Sequence, residues 1–189
     1  MILRMTPRIF VLAGPSGVGK GTITAELLKR TDRVWLSVSA TTRRPRPGEV
    51  DGKSYYFVDD AEFDRLVETG AMLEWAVVHG THRYGTPRAA VEKALKRGQV
   101  PLLEIDVAGA RQVRISEPEA YQIFLRPPSW QELEHRLRGR HTESDAEIEV
   151  RLATARREMA AEGEFDAVVV NDSVSRATDE VLHIMGLDR

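Results

Sequence analysis

One stretch near the start of the chain decides the fold: Arg8-Ile-Phe-Val-Leu-Ala-Gly-Pro-Ser-Gly-Val-Gly-Lys-Gly-Thr22. Its first six residues are a short apolar run of the kind that forms a buried strand. Residues 22–30 have the apolar spacing of a helix. Between the two lies Gly14-Pro-Ser-Gly-Val-Gly-Lys20, in which the glycines let successive N–H groups point toward an anion. A strand, a G-x4-G-K loop and a helix in this order predict a phosphate-binding loop.

The rest of the chain repeats the strand and helix alternation. Four further apolar runs, residues 34–39, 100–106, 121–125 and 167–170, are predicted strands, and helical segments separate several of them. This alternation predicts an α/β protein in which helices cover both faces of a parallel sheet, giving a core of three layers. We expect the whole unit to span residues 8–186.

Residues 41–98 interrupt that alternation. They hold the turn Arg43-Arg-Pro-Arg-Pro-Gly48, short aromatic strands and two predicted helices, which is too much structure for a loop. We interpret them as an inserted subdomain, which leaves residues 8–40, 99–137 and 162–186 to the core.

The remaining segment, about residues 138–161, has the features of a lid. Two Ser-x-x-Glu capping boxes, Ser129 to Glu132 and Ser144 to Glu147, predict helix starts on either side of a polar, glycine-containing stretch.

Composition excludes several classes of function. The 189 residues carry a formal net charge of -2, so no field of the whole protein would attract nucleic acid or a membrane surface. The absence of cysteine excludes disulfides, thiolate zinc sites and thiol catalysis. The first apolar stretch is too short for a signal peptide, and no run is long enough to span a membrane. We therefore expect a cytoplasmic globular protein.

The phosphate loop predicts a donor site but leaves its metal and acceptor open. Lys20 can reach the β- and γ-phosphates of a nucleotide. Gly21 stands where Ser or Thr usually holds magnesium, so Thr22 or a water must serve the metal. The same Gly-Lys-Gly-Thr ending resembles that of adenylate kinases, and the loop alone does not identify the acceptor.

A longer pattern narrows the choice. Ser37-Val-Ser-Ala-Thr-Thr-Arg-Arg-Pro-Arg-Pro-Gly-Glu49, followed by Asp51-Gly-Lys-Ser-Tyr-Tyr-Phe57, resembles the GMP-binding signature of guanylate kinases. The resemblance covers nearly the whole chain, with further matches at Leu73-Glu-Trp75, His82-Arg-Tyr-Gly-Thr86, Leu103-Glu-Ile-Asp106 and Val170-Asn-Asp172. It implies a P-loop NTPase core, a GMP-binding subdomain at about residues 41–98, and transfer of the γ-phosphoryl group of Mg²⁺-bound ATP to GMP, giving ADP and GDP.

The resemblance also assigns the acceptor site. Arginine forks and phenol hydroxyls suit a phosphate, and a carboxylate accepts the N–H donors that guanine presents and adenine lacks at N1. The alternatives are a nucleic-acid patch or solvated turn for the arginines, and a helix cap for Thr86 before Pro87. The implied GMP ligands are Ser39, Arg43, Arg46, Tyr55 and Tyr84 for the phosphate and Glu74 and Thr86 for the base. Glu104 and Asp106 end the third strand, where α/β sheets place their ligands, and this position predicts a second contact to the guanine amino group and outer-shell binding of magnesium. Thr22 and Asp106 are thus the candidate metal residues, acting through water.

On the donor side, the resemblance adds arginines to the phosphate loop. The alternative for each is an ion pair with Glu143, Glu147 or Glu158, and the alternative for Asn171 is a cap of the last helix. The implied ATP ligands are Gly14, Pro15, Ser16, Gly17, Val18, Gly19, Lys20, Gly21, Thr22, Arg136, Arg140 and Asn171, and the implied catalytic residues are Lys20, Arg43, Arg140 and Arg151.

The chain departs from the family pattern at one position, and two alternative functions remain. The family usually carries Asp-x-Gln-Gly where this chain has Asp106-Val-Ala-Gly109, so any role of that amide is absent or moved. The Gly21-Thr22 ending permits a kinase of another nucleoside monophosphate. Related domains of membrane scaffolds bind phosphorylated peptides without catalysis, which the intact loop of residues 14–20 argues against.

Overall fold

The computed structural model describes residues 8–78, 81–139 and 145–188. Its main sheet has five parallel strands in the order β2-β7-β1-β8-β9. The predicted parallel sheet is therefore confirmed. The strands are β1 (Phe10–Ala13), β2 (Val34–Leu36), β7 (Val100–Glu104), β8 (Tyr121–Arg126) and β9 (Ala167–Val170).

Helices cover both faces of this sheet, as the alternation of elements predicts. Along β1, Phe10 and Leu12 point into one apolar cluster, whereas Val11 and Ala13 point into another, because successive side chains leave a strand on opposite faces. The first cluster takes side chains from α1 (Lys20–Arg30), α5 (Trp130–Arg138), α6 (Asp145–Met159) and α7 (Val174–Ile184), and the second from α3 (Arg88–Lys96) and α4 (Val107–Ser116).

A second, smaller sheet stands beside the core. Its four strands have the order β4-β3-β6-β5, so β5 lies at an edge. Helix α2 (Asp60–Glu68) packs on this sheet through the fully buried Phe63. The strands are β3 (Ala40–Thr41), β4 (Tyr56–Phe57), β5 (Met72–Val78) and β6 (His82–Pro87). The bounds that we gave to the core, the subdomain and the lid stay predictions.

Several element ends differ from the sequence prediction. Helix α1 begins at Lys20, two residues early, and β2 ends at Leu36 because Ser37 onward turns toward the second sheet. Strand β7 stops at Glu104, and Asp106 instead caps α4. The cap at Ser129 is confirmed, since its hydroxyl accepts a hydrogen bond from Glu132 N at 3.1 Å. The predicted cap at Ser144 lies outside the described residues.

Within the described part of the chain, no helix combines the length and apolar character needed to cross a membrane.

Candidate active site

The phosphate loop, residues 14–20, joins β1 to α1 and is held in a shape that only glycine permits at two points. Gly14 has φ +150°, and a Cβ there would lie 2.3 Å from the carbonyl oxygen of Leu125 in β8. Gly19, the residue before α1, has φ +100°, and a Cβ there would meet Asn171 Nδ2 at 2.6 Å. The glycines are therefore required both by backbone conformation and by close neighbours.

The side chain of Lys20 lies folded back against its own loop. Its ammonium donates hydrogen bonds to Gly14 O at 2.7 Å and, more weakly, to Pro15 O at 3.3 Å. Burial lowers the pKa of Lys20, while the nearby carboxylates of Glu158, Glu104 and Asp106 act in the opposite direction. A cation thus already lies at the loop, with three carboxylates near it.

Arg136 and Asn171 bind the backbone of the phosphate loop. The buried Asn171 donates from Nδ2 to Val18 O at 2.8 Å, and Arg136 donates from Nη1 to the same carbonyl at 3.2 Å. Arg136 also pairs with Glu132 at 2.8 Å, so its partner is a glutamate on its own helix. Ser173, the last residue of the Asn-Asp-Ser cap considered as the alternative, is the N-cap of α7, whereas the Asn171 side chain bonds to the loop. The structure brings both residues to the donor loop, where they hold its backbone.

Helix α6 contacts the open side of the loop with two charged residues. Arg151 Nη2 donates to the hydroxyl of Ser16 at 2.8 Å, and Ser16 N donates to Glu158 Oε2 at 3.1 Å. Burial raises the pKa of Glu158, while Ser16 N–H and Lys20 lower it. A carboxylate therefore takes an N–H of the phosphate loop. The sequence had suggested Glu158 only as an ion-pair partner. Arg140 lies outside the described residues.

The predicted phosphate ligands of the acceptor meet around Arg43, which is 9% exposed. Arg43 Nε donates to the Tyr84 hydroxyl at 3.1 Å, and its guanidinium lies 5.3 Å from the centre of the Tyr55 ring. Its Nη2 donates to Glu49 at 2.7 Å. Glu49, in turn, accepts from the backbone N–H of Arg46 at 2.7 Å.

The other two phosphate candidates lie at the border of this cluster. Arg46 has an exposed side chain, and Ser39, half-buried, comes just before β3, where its carbonyl accepts from Tyr56 N at 2.9 Å. Our reading of the sequence did not include Glu49 in the site. Its place three residues after Arg46, at the end of the arginine turn, was the available signal.

Glu74 and Thr86 form the buried part of the acceptor site. Glu74 is 8% exposed and Thr86 fully buried, and the Thr86 hydroxyl donates to Glu74 Oε1 at 2.6 Å. Thr86 belongs to β6, and α3 begins only at Arg88, so the helix-cap alternative for Thr86 is wrong. Burial raises the pKa of Glu74, the Thr86 hydroxyl opposes that rise, and Asp106 adds to it.

A second carboxylate lies close to Glu74 at the start of α4. Asp106 Oδ1 caps the helix by accepting from Gly109 N at 2.7 Å. A Cβ on Gly109 would lie 3.2 Å from Glu74 Oε2 and 3.3 Å from Asp106 Oδ1, so both carboxylates flank this glycine. Ala108, where the family usually has glutamine, is exposed and offers no polar side chain.

The residues where the phosphate loop meets α1 fit a magnesium ion that binds together with a nucleotide. Thr22 is exposed on the first turn of α1, and Glu104 Oε1 lies 3.5 Å from the Cβ position of Gly21. Across residues 8–78, 81–139 and 145–188, no group of three His, Cys, Asp or Glu side chains could hold a metal. Magnesium keeps several waters and takes other ligands from substrate phosphates, so the few oxygens here suit it.

A parallel sheet whose central strand leads into a phosphate loop, together with a second sheet that carries arginine and carboxylate side chains, defines a P-loop kinase of a small acceptor. The family model described as guanylate kinase matches residues 6–186. The chain therefore belongs to the guanylate kinase family, and the family prediction is confirmed.

Individual relatives agree with the family model. The chain is 60% identical over 178 residues to the guanylate kinase of Thermobifida fusca (strain YX), covering 94% of this chain and 90% of that protein. It is 58% identical over 183 residues to the guanylate kinase of Leifsonia xyli subsp. xyli (strain CTCB07), covering 97% and 72%.

Solved structures agree as well. The crystal structure of guanylate kinase from Anaplasma phagocytophilum matches with a TM-score of 0.71 and 35% identity, covering 96% of this chain and 85% of that one. Shikimate kinase from Bacteroides thetaiotaomicron, at 10% identity, TM-score 0.51, and coverage of 95% and 99%, shows the fold alone. Neither a different nucleoside monophosphate kinase nor a non-catalytic scaffold is favoured by these matches.

Proposed function

We propose that this chain transfers the γ-phosphoryl group of ATP to GMP, with the phosphate loop as the donor site and the cluster around Arg43 and Glu74 as the acceptor site. The observation that carries the proposal is the buried Glu74, which has the Thr86 hydroxyl at 2.6 Å and Asp106 as a neighbour. A carboxylate removed from water needs N–H or O–H partners. Guanine offers N1–H and N2–H side by side, which fits this need.

The phosphate of GMP fits the remaining half of the acceptor site. Arg43 offers a guanidinium fork between two tyrosines, and forks bind phosphate through paired hydrogen bonds. The fork is now paired with Glu49 and with the Arg44 carbonyl at 2.7 Å each. These partners hold the guanidinium in one place, so little side-chain freedom remains to be lost on binding.

The reaction asks little of the protein beyond position and charge. A phosphate acceptor is already anionic near neutral pH, so no general base is required, and catalysis rests on alignment and charge neutralisation. Lys20 would supply a cation at the donor phosphates, and Arg151 a second from α6. Magnesium, when bound with ATP, neutralises charge on the β- and γ-phosphates. We propose that Thr22 and, through water, Asp106 hold it.

Closure of the two sites onto each other would exclude the water that otherwise hydrolyses ATP. We assign this closure to the segment of about residues 138–161. A cytoplasmic location stays a prediction from the sequence.

The test is a comparison of catalytic efficiencies. In wild type, kcat/KM for GMP should exceed that for AMP by about 10⁴ or more, as in sites built on buried hydrogen bonds. Glu74→Gln keeps the shape of the side chain and loses an acceptor, so the GMP to AMP ratio should fall by about 10². An ADP-release assay with both nucleotides measures the ratio.

Glu62→Gln is the matched control, because Glu62 pairs with Arg65 on the exposed face of α2 in the same part of the molecule. It should leave the ratio unchanged. A Glu74→Gln variant with the wild-type ratio would show that guanine is read elsewhere. A wild type that prefers AMP would refute the proposed function itself.

A further inference from the structure

One face of α4 carries Gly109, Gln112 and Ser116, spaced three and four residues apart, and this face lies along β5. The helix belongs to the layer that covers the main sheet, whereas β5 belongs to the second sheet. The contact between α4 and β5 therefore connects the two sheets, and it lies directly beside Glu74.

Two side chains of this face bind the backbone of β5. The Gln112 amide pairs with the backbone of one residue in both directions: Trp75 N donates to Gln112 Oε1 at 3.0 Å, and Gln112 Nε2 donates to Trp75 O at 2.9 Å. One helical turn later, Ser116 Oγ donates to Leu73 O at 2.6 Å. An amide that donates and accepts in this way reproduces the bonding of a neighbouring strand.

The two backbone positions that α4 binds are those on either side of Glu74. The pairing of β5 with β6 slips by one residue here, from Met72 opposite Pro87 to Trp75 opposite Gly85. Such a bulge disrupts the ladder locally and redirects a side chain, and the residues within it need other partners. At this bulge, α4 supplies them.

The third member of the face decides where the carboxylate of Glu74 can lie. Gly109 is one turn before Gln112, and its missing Cβ leaves room for Glu74 Oε2, which would lie 3.2 Å from such an atom. Asp106 caps the same turn. The α4 face thus fixes the position of β5 and of its bulge. It also leaves the space in which the two carboxylates of the acceptor site come together.

We propose that Gln112 is a positioning residue for guanine selection: its paired hydrogen bonds with Trp75 hold the bulge so that Glu74 converges with Asp106 on the exocyclic amine of guanine. The inference rests on the proposed function, since it concerns how that acceptor site reads its base. Gln112 itself touches no substrate and acts through the backbone of β5.

The probe for this convergence is IMP, whose base differs from guanine by lacking the exocyclic amine. The ratio of kcat/KM for GMP to that for IMP therefore reports how well the amine is held, and a loss of general stability would not by itself change it. Gln112→Met keeps the length of the side chain and removes both hydrogen bonds. The ratio should fall about tenfold, because small displacements of a positioning group have large effects. The KM for ATP should not change.

Arg111→Met is the matched control. Arg111 is the neighbouring residue on α4, but its guanidinium pairs with Glu164 at 2.7 and 2.6 Å instead of with β5. It should leave the GMP to IMP ratio at the wild-type value. Gln112→Glu keeps the acceptor for Trp75 N and loses the donor to Trp75 O, so it should give an intermediate ratio. If Gln112→Met does not fold, Gln112→Glu decides by the same ratio.

Exchange of the Trp75 amide hydrogen gives an independent readout, since Gln112 protects it in wild type and exchange should be faster in Gln112→Met. A folded Gln112→Met enzyme with the wild-type GMP to IMP ratio would overturn this inference and leave the proposed function intact. A wild type that does not phosphorylate GMP in preference to IMP would instead count against the proposed function.

Discussion

The donor and acceptor sites are built in different ways. The donor site is a segment of nine consecutive residues, 14–22, which runs from the end of β1 into the first turn of α1. The acceptor site takes single side chains from four separate segments: Arg43 after β3, Glu74 in β5, Tyr84 and Thr86 in β6, and Asp106 before α4. A site made of consecutive backbone is specified locally, whereas a site made of distant side chains depends on the packing between segments.

The two sites also differ in how they treat their own carboxylates. In the acceptor site, hydrogen bonds from Arg43 and then the Arg46 N–H lower the pKa of Glu49, so this carboxylate is firmly ionised and bound. In the donor site, burial raises the pKa of Glu158, which has a single 3.1 Å bond to the loop. Glu49 is therefore a fixed support for a cation, whereas Glu158 makes a weaker contact with the loop, and we expect a bound phosphate to displace it.

The largest effect should come from the one cation of the donor loop. Lys20→Ala removes a charge that lies at the loop before substrate binds, so turnover should fall by about 10² or more, as for other preorganised charge stabilisers. Steady-state kinetics with ATP and GMP give the result. Lys29→Ala, on the exposed end of α1, is the control and should behave as wild type. A Lys20→Ala enzyme within a few-fold of wild type would contradict a catalytic role for the loop cation.

On the acceptor side, the shape of the cation matters as well as its charge. Arg43→Lys keeps the charge but loses the fork, the Tyr84 contact and part of the Glu49 pairing, so kcat/KM for GMP should fall about 30-fold. The KM for ATP should be unaffected. Arg44→Lys, at the exposed neighbouring position, tests whether any arginine of the turn has this effect. An Arg43→Lys enzyme with wild-type kcat/KM for GMP would mean that only the charge is used, and equal losses in the two variants would mean that the effect is not specific to Arg43.

The smallest effect concerns Glu158, and it has the opposite direction. Glu158→Gln removes a negative charge that competes with phosphate, so Kd for ATP should decrease about threefold, as for a partly exposed charge pair. In wild type, protonation ends the competition, so ATP affinity should rise as pH falls through the raised pKa of Glu158. The variant, titrated over the same pH range, should lack this rise in ATP affinity. Weaker ATP binding by the variant would show that Glu158 assists the donor instead.

The contrast between the sites also explains what the sequence could predict. The loop, its glycines and its lysine follow from local rules, and so do the five parallel strands, since short apolar runs between helices indicate buried strands. The membership of the acceptor set came from the resemblance. The hydrogen bonds within that set did not follow from the resemblance. Thr86 precedes Pro87, and this pair locally resembles a helix start. Only the packing of β6 against β5 turns the Thr86 hydroxyl to Glu74.

Contacts between residues far apart in the sequence could not be predicted either, because they also depend on packing. Ser16 and Glu158 are separated by 142 residues, and no local pattern marks either as a partner of the other. Glu49 was closer to prediction, because it lies six residues from Arg43 in the same turn. The resemblance suggested Asn171 as a residue of the donor side, but its hydrogen bond to the loop backbone depends on Val18, 153 residues earlier.

The Gln112 amide has a consequence for solubility. Strand β5 is an edge strand of its sheet and carries the exposed side chains of Val77 and Val78. An edge strand with exposed apolar side chains can pair with a strand of another chain and begin aggregation. The outward peptide groups of Leu73 and Trp75 are already bonded to α4, so an incoming strand finds part of the edge closed. The helix that shapes the acceptor site therefore also shortens the part of this edge that is open to another strand.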